Sequence, residues 1–307
     1  MNKKIVIVGA GFVGATTAYA IMVQGIADEI VLLDIAKDKA EGEIMDLKHA
    51  REFAPFCKLS FSDDYSVCKD AKIVIITAGV RQRPGESRLQ LINKNVGIAK
   101  SIVNGVLKHN KECIFLVVSN PVDILTYLTI KWTGFDPNKV IGSGTDLDTA
   151  RFKCILSDSL QISAKDVEGF VLGEHGNSSF PIWSSVKIKG TNLKDYKDYD
   201  KINLNEIAEK VRNTAPEIVK RKGATYFGVS LLVSKIAKSI INDENKTFLV
   251  SNLLKNYEGI NDICLSTPCV IGKDGINEKL PVSLNEEEKD NLEKSSDILK
   301  EWIKKLD

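Results

Sequence analysis

The order of apolar and polar residues divides the chain into blocks of two kinds. "KKIVIVG" (3–9), "EIVLLD" (29–34), "AKIVIITAG" (71–79) and "CIFLVVSNP" (113–121) are continuous apolar runs of strand length. Such runs suit parallel strands covered on both faces. "KLSFS" (58–62) and "KVIGSGT" (139–145) are shorter strands of the same series. Helix-period patterns fill the gaps at 12–24, 38–50, 87–110 and 123–134, and Gly25 fits the end of the first. This β-α-β alternation predicts an α/β fold, a Rossmann doubly wound parallel sheet over residues 1–144.

Near Thr145 the pattern changes. A helix is expected at 147–160, strand-like pieces at 166–172 and 182–189, helices near 203–222 and 226–242, and strands at 247–254 and 263–271. A last helix opens at "NEEE", where Asn285 caps and Glu288 occupies the capping-box position. Leu292, Ile298, Leu299, Trp302 and Ile303 give it an apolar stripe. Residues 145–307 are therefore expected to form a mixed α+β substrate-binding domain. With no repeat, low-complexity tract or long linker, the two lobes should pack tightly around a ligand at their seam.

Composition narrows the partners. Lys and Arg number 42 and Asp and Glu 41, a net charge of +1, which gives no electrostatic case for nucleic acid or an anionic membrane as partner. The N-terminus is basic and then apolar, but glycine interrupts the apolar run too soon for a signal peptide, and no segment has the roughly twenty apolar residues that span a bilayer. The expected location is the cytoplasm. Cys57, Cys68, Cys113, Cys154, Cys264 and Cys269 form no CxxC pair and mostly sit in apolar runs, so they are expected to be reduced and mostly buried, with no metal site.

Candidate chemistry begins at "VGAGFVGA", where Gly9, Gly11 and Gly14 form a GxGxxG directly after a strand and at a helix start. Asp34 follows twenty residues after Gly14, at the tip of the second strand. The glycines allow a tight turn and close backbone approach, the helix start favours a pyrophosphate, and the carboxylate suits ribose hydroxyls. Asp34 would repel a 2′-phosphate, so the expected cofactor is NAD rather than NADP. FAD shares the fingerprint, but "ITAG" and "VVSNP" end successive strands on one sheet edge and suit a nicotinamide pocket.

Four further segments carry polar side chains suited to one reaction. They are "GVRQRPGESR" (79–88), "SNPVD" (119–123), "GTDLDTAR" (144–151), with Asp148 and Arg151 three apart, and "GEHG" (173–176), which holds one of only three histidines. Reduction of a 2-keto acid needs an acid/base near neutrality, a carboxylate to orient it, a cation for charge growing on the carbonyl oxygen, and a forked cation for the substrate carboxylate.

"GAGFVG", "AGVRQRPGESR", "SNPVDILTY", "GSGTDLDTARF", "GEHG" and "KGATYFGVS", in this order, resemble the lactate/malate dehydrogenase family over essentially the whole chain. The resemblance implies NADH-dependent reduction of pyruvate to (S)-lactate, the last step of fermentative glycolysis, in a homotetramer. By it, His175 is the proton donor and acceptor, Asp148 holds His175 in its useful tautomer, and Arg88, on a mobile loop, polarises the carbonyl. Arg151 clamps the substrate carboxylate, while Asn120, Asp123 and Thr225 complete the substrate side. Gly9, Gly11, Val13, Gly14, Asp34, Lys39, Tyr65, Gly79, Val80, Ser101, Val118, Ser119, Asn120 and Ser143 match cofactor positions.

Gln82 separates the substrates. Malate enzymes of the family carry Arg at the matching position, and a neutral Gln would leave the second carboxylate of oxaloacetate desolvated and unpaired. The Pro-Gly and Ser-Arg of "QRPGESR" fix the register despite Arg81 and Arg83 on either side. The alternatives are a malate or branched-chain L-2-hydroxy acid dehydrogenase and, outside enzymes, an NAD-binding sensor without chemistry. Many bacterial relatives bind fructose 1,6-bisphosphate through an Arg and a His at a subunit interface. Lys153 and Glu168 occupy those positions here, which implies little or no activation. Asn177 follows "EHG" where the family often has Asp; nothing in the sequence explains that change.

Overall fold

The protein is described by a computed structural model covering residues 3–81 and 85–306. The first half alternates as expected: β1 (Lys4–Val8), α1 (Phe12–Val23), β2 (Glu29–Leu33), α2 (Lys37–Ala50), β3 (Lys58–Ser62), β4 (Ile73–Ile76), α3 (Arg88–Leu107), β5 (Ile114–Val117), α4 (Val122–Thr133) and β6 (Val140–Gly142). The second half runs α5 (Asp146–Leu160), five two-residue strands β7 (Val167–Glu168), β8 (Val171–Leu172), β9 (Phe180–Pro181), β10 (Lys187–Ile188) and β11 (Thr191–Asn192), then α6 (Leu204–Lys222), α7 (Phe227–Asn242), β12 (Lys246–Leu253), β13 (Cys264–Gly272), β14 (Gly275–Lys279) and α8 (Glu286–Lys304).

Strands β3-β2-β1-β4-β5-β6 lie side by side, all parallel, in the doubly wound order. Alternate residues of β1 feed two cores. Ile5 and Ile7 join Ala18, Ile21 and Met22 of α1 and Ile44 of α2, whereas Val6 and Val8 join Ile102, Val103 and Val106 of α3. This two-sided burial explains the unbroken apolar runs; each such side chain contributes about 1.5–3 kcal/mol.

The sheet does not stop where the sequence pattern changes. β12, β13 and β14 continue it antiparallel beyond β6, giving nine strands among the described residues. β12 meets β6 through one aligned pair, Ser251 with Gly142. Just beyond, Gly144 (φ +63°) comes so close to β12 that a Cβ would lie 2.5 Å from the Leu249 carbonyl oxygen. Helix α7 also crosses over: Val233, Ile236 and Ile240 share the core with Ile21 and Met22, and Ser230 Oγ donates to the Val13 carbonyl at 3.0 Å.

Three local expectations are corrected. The piece at 166–172 is two strands, β7 and β8, split at Gly169 (φ +154°). Only Lys187 and Ile188 of 182–189 form a strand, and β14 was not anticipated. The α8 capping box forms, with Asn285 Oδ1 accepting the Glu288 N–H at 2.9 Å, but Ile298 of the expected stripe is 38% exposed. Among the described residues, no single helix is long and apolar enough to cross a membrane.

Candidate active site

All parallel strands end on one edge of the sheet, and the predicted cofactor residues begin there. β1 runs into Gly9 (φ +112°), whose Cβ would lie 2.7 Å from the Ala78 nitrogen, while a Cβ on Gly14 would strike the Gly9 carbonyl. Gly11, the residue capping α1, differs: a Cβ there would meet nothing within 4 Å. The first turn of α1 has no side-chain cap and no acidic residue, so its amides and dipole face open space. Asp34 leaves β2 with Oδ2 accepting the Ala10 N–H at 2.6 Å and Oδ1 that of Ala36 at 2.9 Å. Each oxygen keeps a lone pair for a ribose hydroxyl. This cradle fits a dinucleotide pyrophosphate and its ribose.

The other cofactor positions spread from this turn. Val13 is part of the α1–α7 contact. Tyr65 lays its ring against α3, where a Cβ on Gly105 would lie 2.6 Å from it. Ser119 Oγ donates to the Ala78 carbonyl at 2.6 Å, joining the ends of β4 and β5. Val118, Ser119 and Ser143 are buried at strand tips, and Gly79 and Val80 are exposed. Lys39 on α2 and Ser101 on α3 are exposed, and no side-chain hydrogen bond among the described residues ties either to the turn.

The chemical residues meet through two threonines. Thr145, before α5, donates its hydroxyl to the Val171 carbonyl at 2.6 Å, and Thr149 accepts the Val171 N–H at 2.9 Å. These bonds strap α5 to β8, which leads into Gly173-Glu174-His175-Gly176. The strap brings Asp148 and His175 together, with Nδ1 2.6 Å from Asp148 Oδ2. Asp148 Oδ1 accepts from Arg151 Nη1, also at 2.6 Å. Asp148 is buried, and the three side chains form one charged cluster.

Electrostatics favour a charged pair here. Burial works to lower the His175 pKa, but the Asp148 charge and hydrogen bond outweigh it, and the imidazole sits above its ordinary 6.5. Burial likewise works to raise Asp148, but His175 and Arg151 hold the carboxylate below its ordinary value. Nδ1 is committed to Asp148, which leaves Nε2 for proton exchange.

Asp123 proves to be a support under the histidine. It is 2% exposed, and its Oδ2 accepts the backbone N–H of His175 at 2.8 Å. Burial, first of all, pushes its carboxyl up to about 6. Asn120 leaves β5 at the cis Asn120–Pro121 bond, and Thr225 lies half-buried between α6 and α7. Arg88, first residue of α3, places Nη2 3.2 Å from Glu174 Oε1 and its guanidinium 5.4 Å from the Trp302 ring centre. Gln82 lies outside the described residues.

Two residues that the sequence reading passed over belong to this neighbourhood. Glu174 is 4% exposed and holds Arg88 on one oxygen and the Ser178 hydroxyl on the other. Asn95, inside α3, bonds the backbone at Val80 and Asn120. A charged side chain adjoining a histidine and a lone Asn on the apolar face of a helix were the available signals. Among the described residues, no group of three His, Cys, Asp or Glu is arranged to hold a metal ion, and all six thiols are free.

A dinucleotide-type α/β lobe with a histidine–carboxylate–arginine cluster at its strand tips defines a class of nucleotide-dependent oxidoreductase. Comparison with known proteins agrees. The family model described as lactate/malate dehydrogenase, NAD binding domain, matches residues 3–142, and that of the lactate/malate dehydrogenase alpha/beta C-terminal domain matches 145–307. The chain belongs to the lactate/malate dehydrogenase family. It is 47% identical over 310 residues to an Acetivibrio thermocellus protein named L-lactate dehydrogenase, covering 99% of this chain and 98% of that one. A Clostridium botulinum (strain Loch Maree / Type A3) L-lactate dehydrogenase is 46% identical over 307 residues, covering 98% and 96%. The solved minor L-lactate dehydrogenase of Enterococcus mundtii, in its ligands-bound form, superposes with a TM-score of 0.95 at 39% identity, covering 100% of this chain and 99% of that one. A lactate dehydrogenase from a deep-sea metagenome library gives 0.94 at 41%, covering 99% of both chains.

Proposed function

We propose that the chain is an NAD-dependent L-lactate dehydrogenase that interconverts pyruvate and (S)-lactate. The observation that carries this reading is the 2.6 Å contact of His175 Nδ1 with Asp148 Oδ2, beside an arginine on the same carboxylate. NADH, when bound along the glycine turn and Asp34, supplies the hydride for the carbonyl carbon.

The chain's own residues do the rest. Arg151 offers its fork to the substrate carboxylate and fixes which face of the ketone is presented. Protonated His175 donates from Nε2 to the carbonyl oxygen as the C=O π bond breaks, and is left neutral. Asp148 stabilises the imidazolium beforehand and keeps hydrogen on Nδ1 afterwards. Arg88 leaves Glu174 and Trp302 as its loop closes, stabilising charge on the oxygen and excluding water. Thr225 and Asn120 bound the substrate side, with Asn120 hydrogen-bonding near the carbonyl. Lactate oxidation runs the same steps backwards, with neutral His175 as base.

Gln82 favours pyruvate over oxaloacetate, and the names of the relatives support the same choice. Loss of NADH absorbance with pyruvate, oxaloacetate and 2-ketoisocaproate tests it. Pyruvate should give the highest kcat/KM; preference for either other acid would assign the malate or branched-chain alternative.

We further infer a cytoplasmic homotetramer acting as the last step of fermentative glycolysis. Exposed Phe12, Tyr19 and Val23 on α1 and Phe227 and Leu231 on α7 form an apolar surface suited to another copy of the chain. Light scattering should return about four chain masses, and a monomer at micromolar concentration would contradict the assembly.

A further inference from the structure

We propose that Asn95 is a positioning residue whose side-chain amide fixes the root of the loop that carries Gln82 and Arg88. It occupies the buried face of α3 among Ile92, Ala99, Ile102 and Val103 and is 4% exposed. A polar amide at such a position lowers stability unless it is hydrogen-bonded, and an apolar residue would serve the helix better. The reason for an Asn therefore lies in what it bonds.

It makes three hydrogen bonds, all to backbone at strand exits. Oδ1 accepts the Val80 N–H at 2.8 Å, and Nδ2 donates to the Val80 carbonyl at 3.2 Å and to the Asn120 carbonyl at 2.9 Å. Both polar groups of Val80 thus go to one side chain, as they would go to a neighbouring strand if β4 continued. The glycine before it permits the approach: a Cβ on Gly79 would lie 3.2 Å from Asn95 Oδ1. Beyond Val80, Arg81 donates to the Gly223 carbonyl at 2.5 Å.

The same helix carries the far end of the loop. Arg88 and Asn95 are seven residues apart on α3, two turns along one face, roughly 10 Å of rigid helix. Asn95 ties Val80, where the loop starts, to the helix that Arg88 begins, and both to Asn120 on β5. Delivery of the Arg88 guanidinium to a carbonyl needs the chain at Val80, the start of α3 and the tip of β5 to keep a fixed spacing. A displacement of about 1 Å there would cost on the order of a hundredfold in rate.

This inference rests on the dehydrogenase reading for its kinetic arm alone; hydrogen exchange on the ligand-free protein reads the clasp directly. Asn95→Asp is nearly isosteric but, ionised, turns a carboxylate on two carbonyls; Asn95→Ala removes all three bonds. In Asn95→Ala the Val80 amide should exchange at least about tenfold faster than in the unmodified protein, with central sheet amides unchanged. For Asn95→Asp, kcat/KM with pyruvate should fall by about tenfold or more near neutrality. The ratio of this variant to the unmodified enzyme should recover as pH falls toward about 5.5, where a protonated carboxyl donates to one carbonyl again. A purely structural Asn95 would lower Tm in both variants but give neither recovery nor local loss of protection. Unchanged Val80 exchange in Asn95→Ala, or an Asn95→Asp ratio flat with pH, would overturn the proposal.

Discussion

His175 and Arg151 share one carboxylate: Asp148 Oδ2 lies 2.6 Å from His175 Nδ1, and its Oδ1 lies 2.6 Å from Arg151 Nη1. The side chains proposed as proton carrier and substrate clamp are therefore fixed relative to each other by a buried side chain of α5. Changing any one of the three should disturb the other two.

The first prediction concerns pH. The His175 pKa is raised above 6.5, so the imidazolium persists above that pH. With pyruvate, kcat/KM should be flat at low pH and fall as pH rises through a value above 6.5; with lactate the profile should be the mirror image. The pair's contribution to stability follows the same sign. It is complete below the unfolded value of 6.5 and is lost as pH rises through the folded pKa. Asp148→Asn should move the break downward and lower kcat by about 10²–10⁴-fold. Steady-state kinetics across pH checks both parts.

Arg151→Lys keeps the charge and removes the fork. The pyruvate KM should rise about ten- to a hundredfold, because a charge-assisted bidentate contact is lost. The NADH Kd should not change, since Arg151 is assigned to substrate alone. Titration of NADH fluorescence beside pyruvate kinetics separates the two.

Much of this site was legible in the sequence because its residues sit at strand ends and helix starts, which hydrophobic pattern locates well. Gly9, Gly11 and Asp34 could be placed from two apolar runs, and Asp148 with Arg151 from helix spacing. Asn95 could not, because within α3 its neighbours Ile92 and Ala99 describe an ordinary buried face and its partners at Val80 and Asn120 are remote in sequence. The extension of the sheet by β12–β14 was hidden for the same reason: its junction is one residue pair, Ser251 with Gly142, more than a hundred residues apart. β14 escaped because its polar "GINEK" lacks an apolar alternation, although the turn before it carries the Asp-Gly dipeptide of a hairpin. Asp123 is expected on the substrate side; what the sequence did not show is that it is buried and accepts the His175 backbone N–H.

That buried carboxyl gives a stability prediction. Asp123 has its pKa raised by burial from 3.8 to about 6, so its ionised form destabilises the fold. The effect is absent below 3.8, grows as pH rises and is complete above about 6. The Ser251 hydroxyl and the His175 backbone N–H offset part of that burial but do not cancel it. Asp123→Asn removes the buried charge. Its Tm at pH 7.5 should exceed that of the unmodified protein by roughly 1–4 °C, with the gain vanishing toward pH 4. Calorimetry at the two pH values checks this.

Substrate choice is tested at Gln82. Gln82→Arg supplies a cation for the second carboxylate of oxaloacetate, and the ratio of kcat/KM for oxaloacetate over pyruvate should rise by about a hundredfold or more. An unchanged ratio would mean that Gln82 does not face the substrate side chain.

The central claim is that His175 moves the proton, and single-turnover oxidation of bound NADH by saturating pyruvate in His175→Gln tests it most directly. The variant keeps a polar side chain of similar reach but cannot donate a proton. The account expects NADH binding within about twofold of the unmodified protein and a rate lower by about 10³-fold or more, with no dependence on pH between 6 and 9. A variant that turned over within about tenfold of the unmodified enzyme, or retained its pH break, would contradict it.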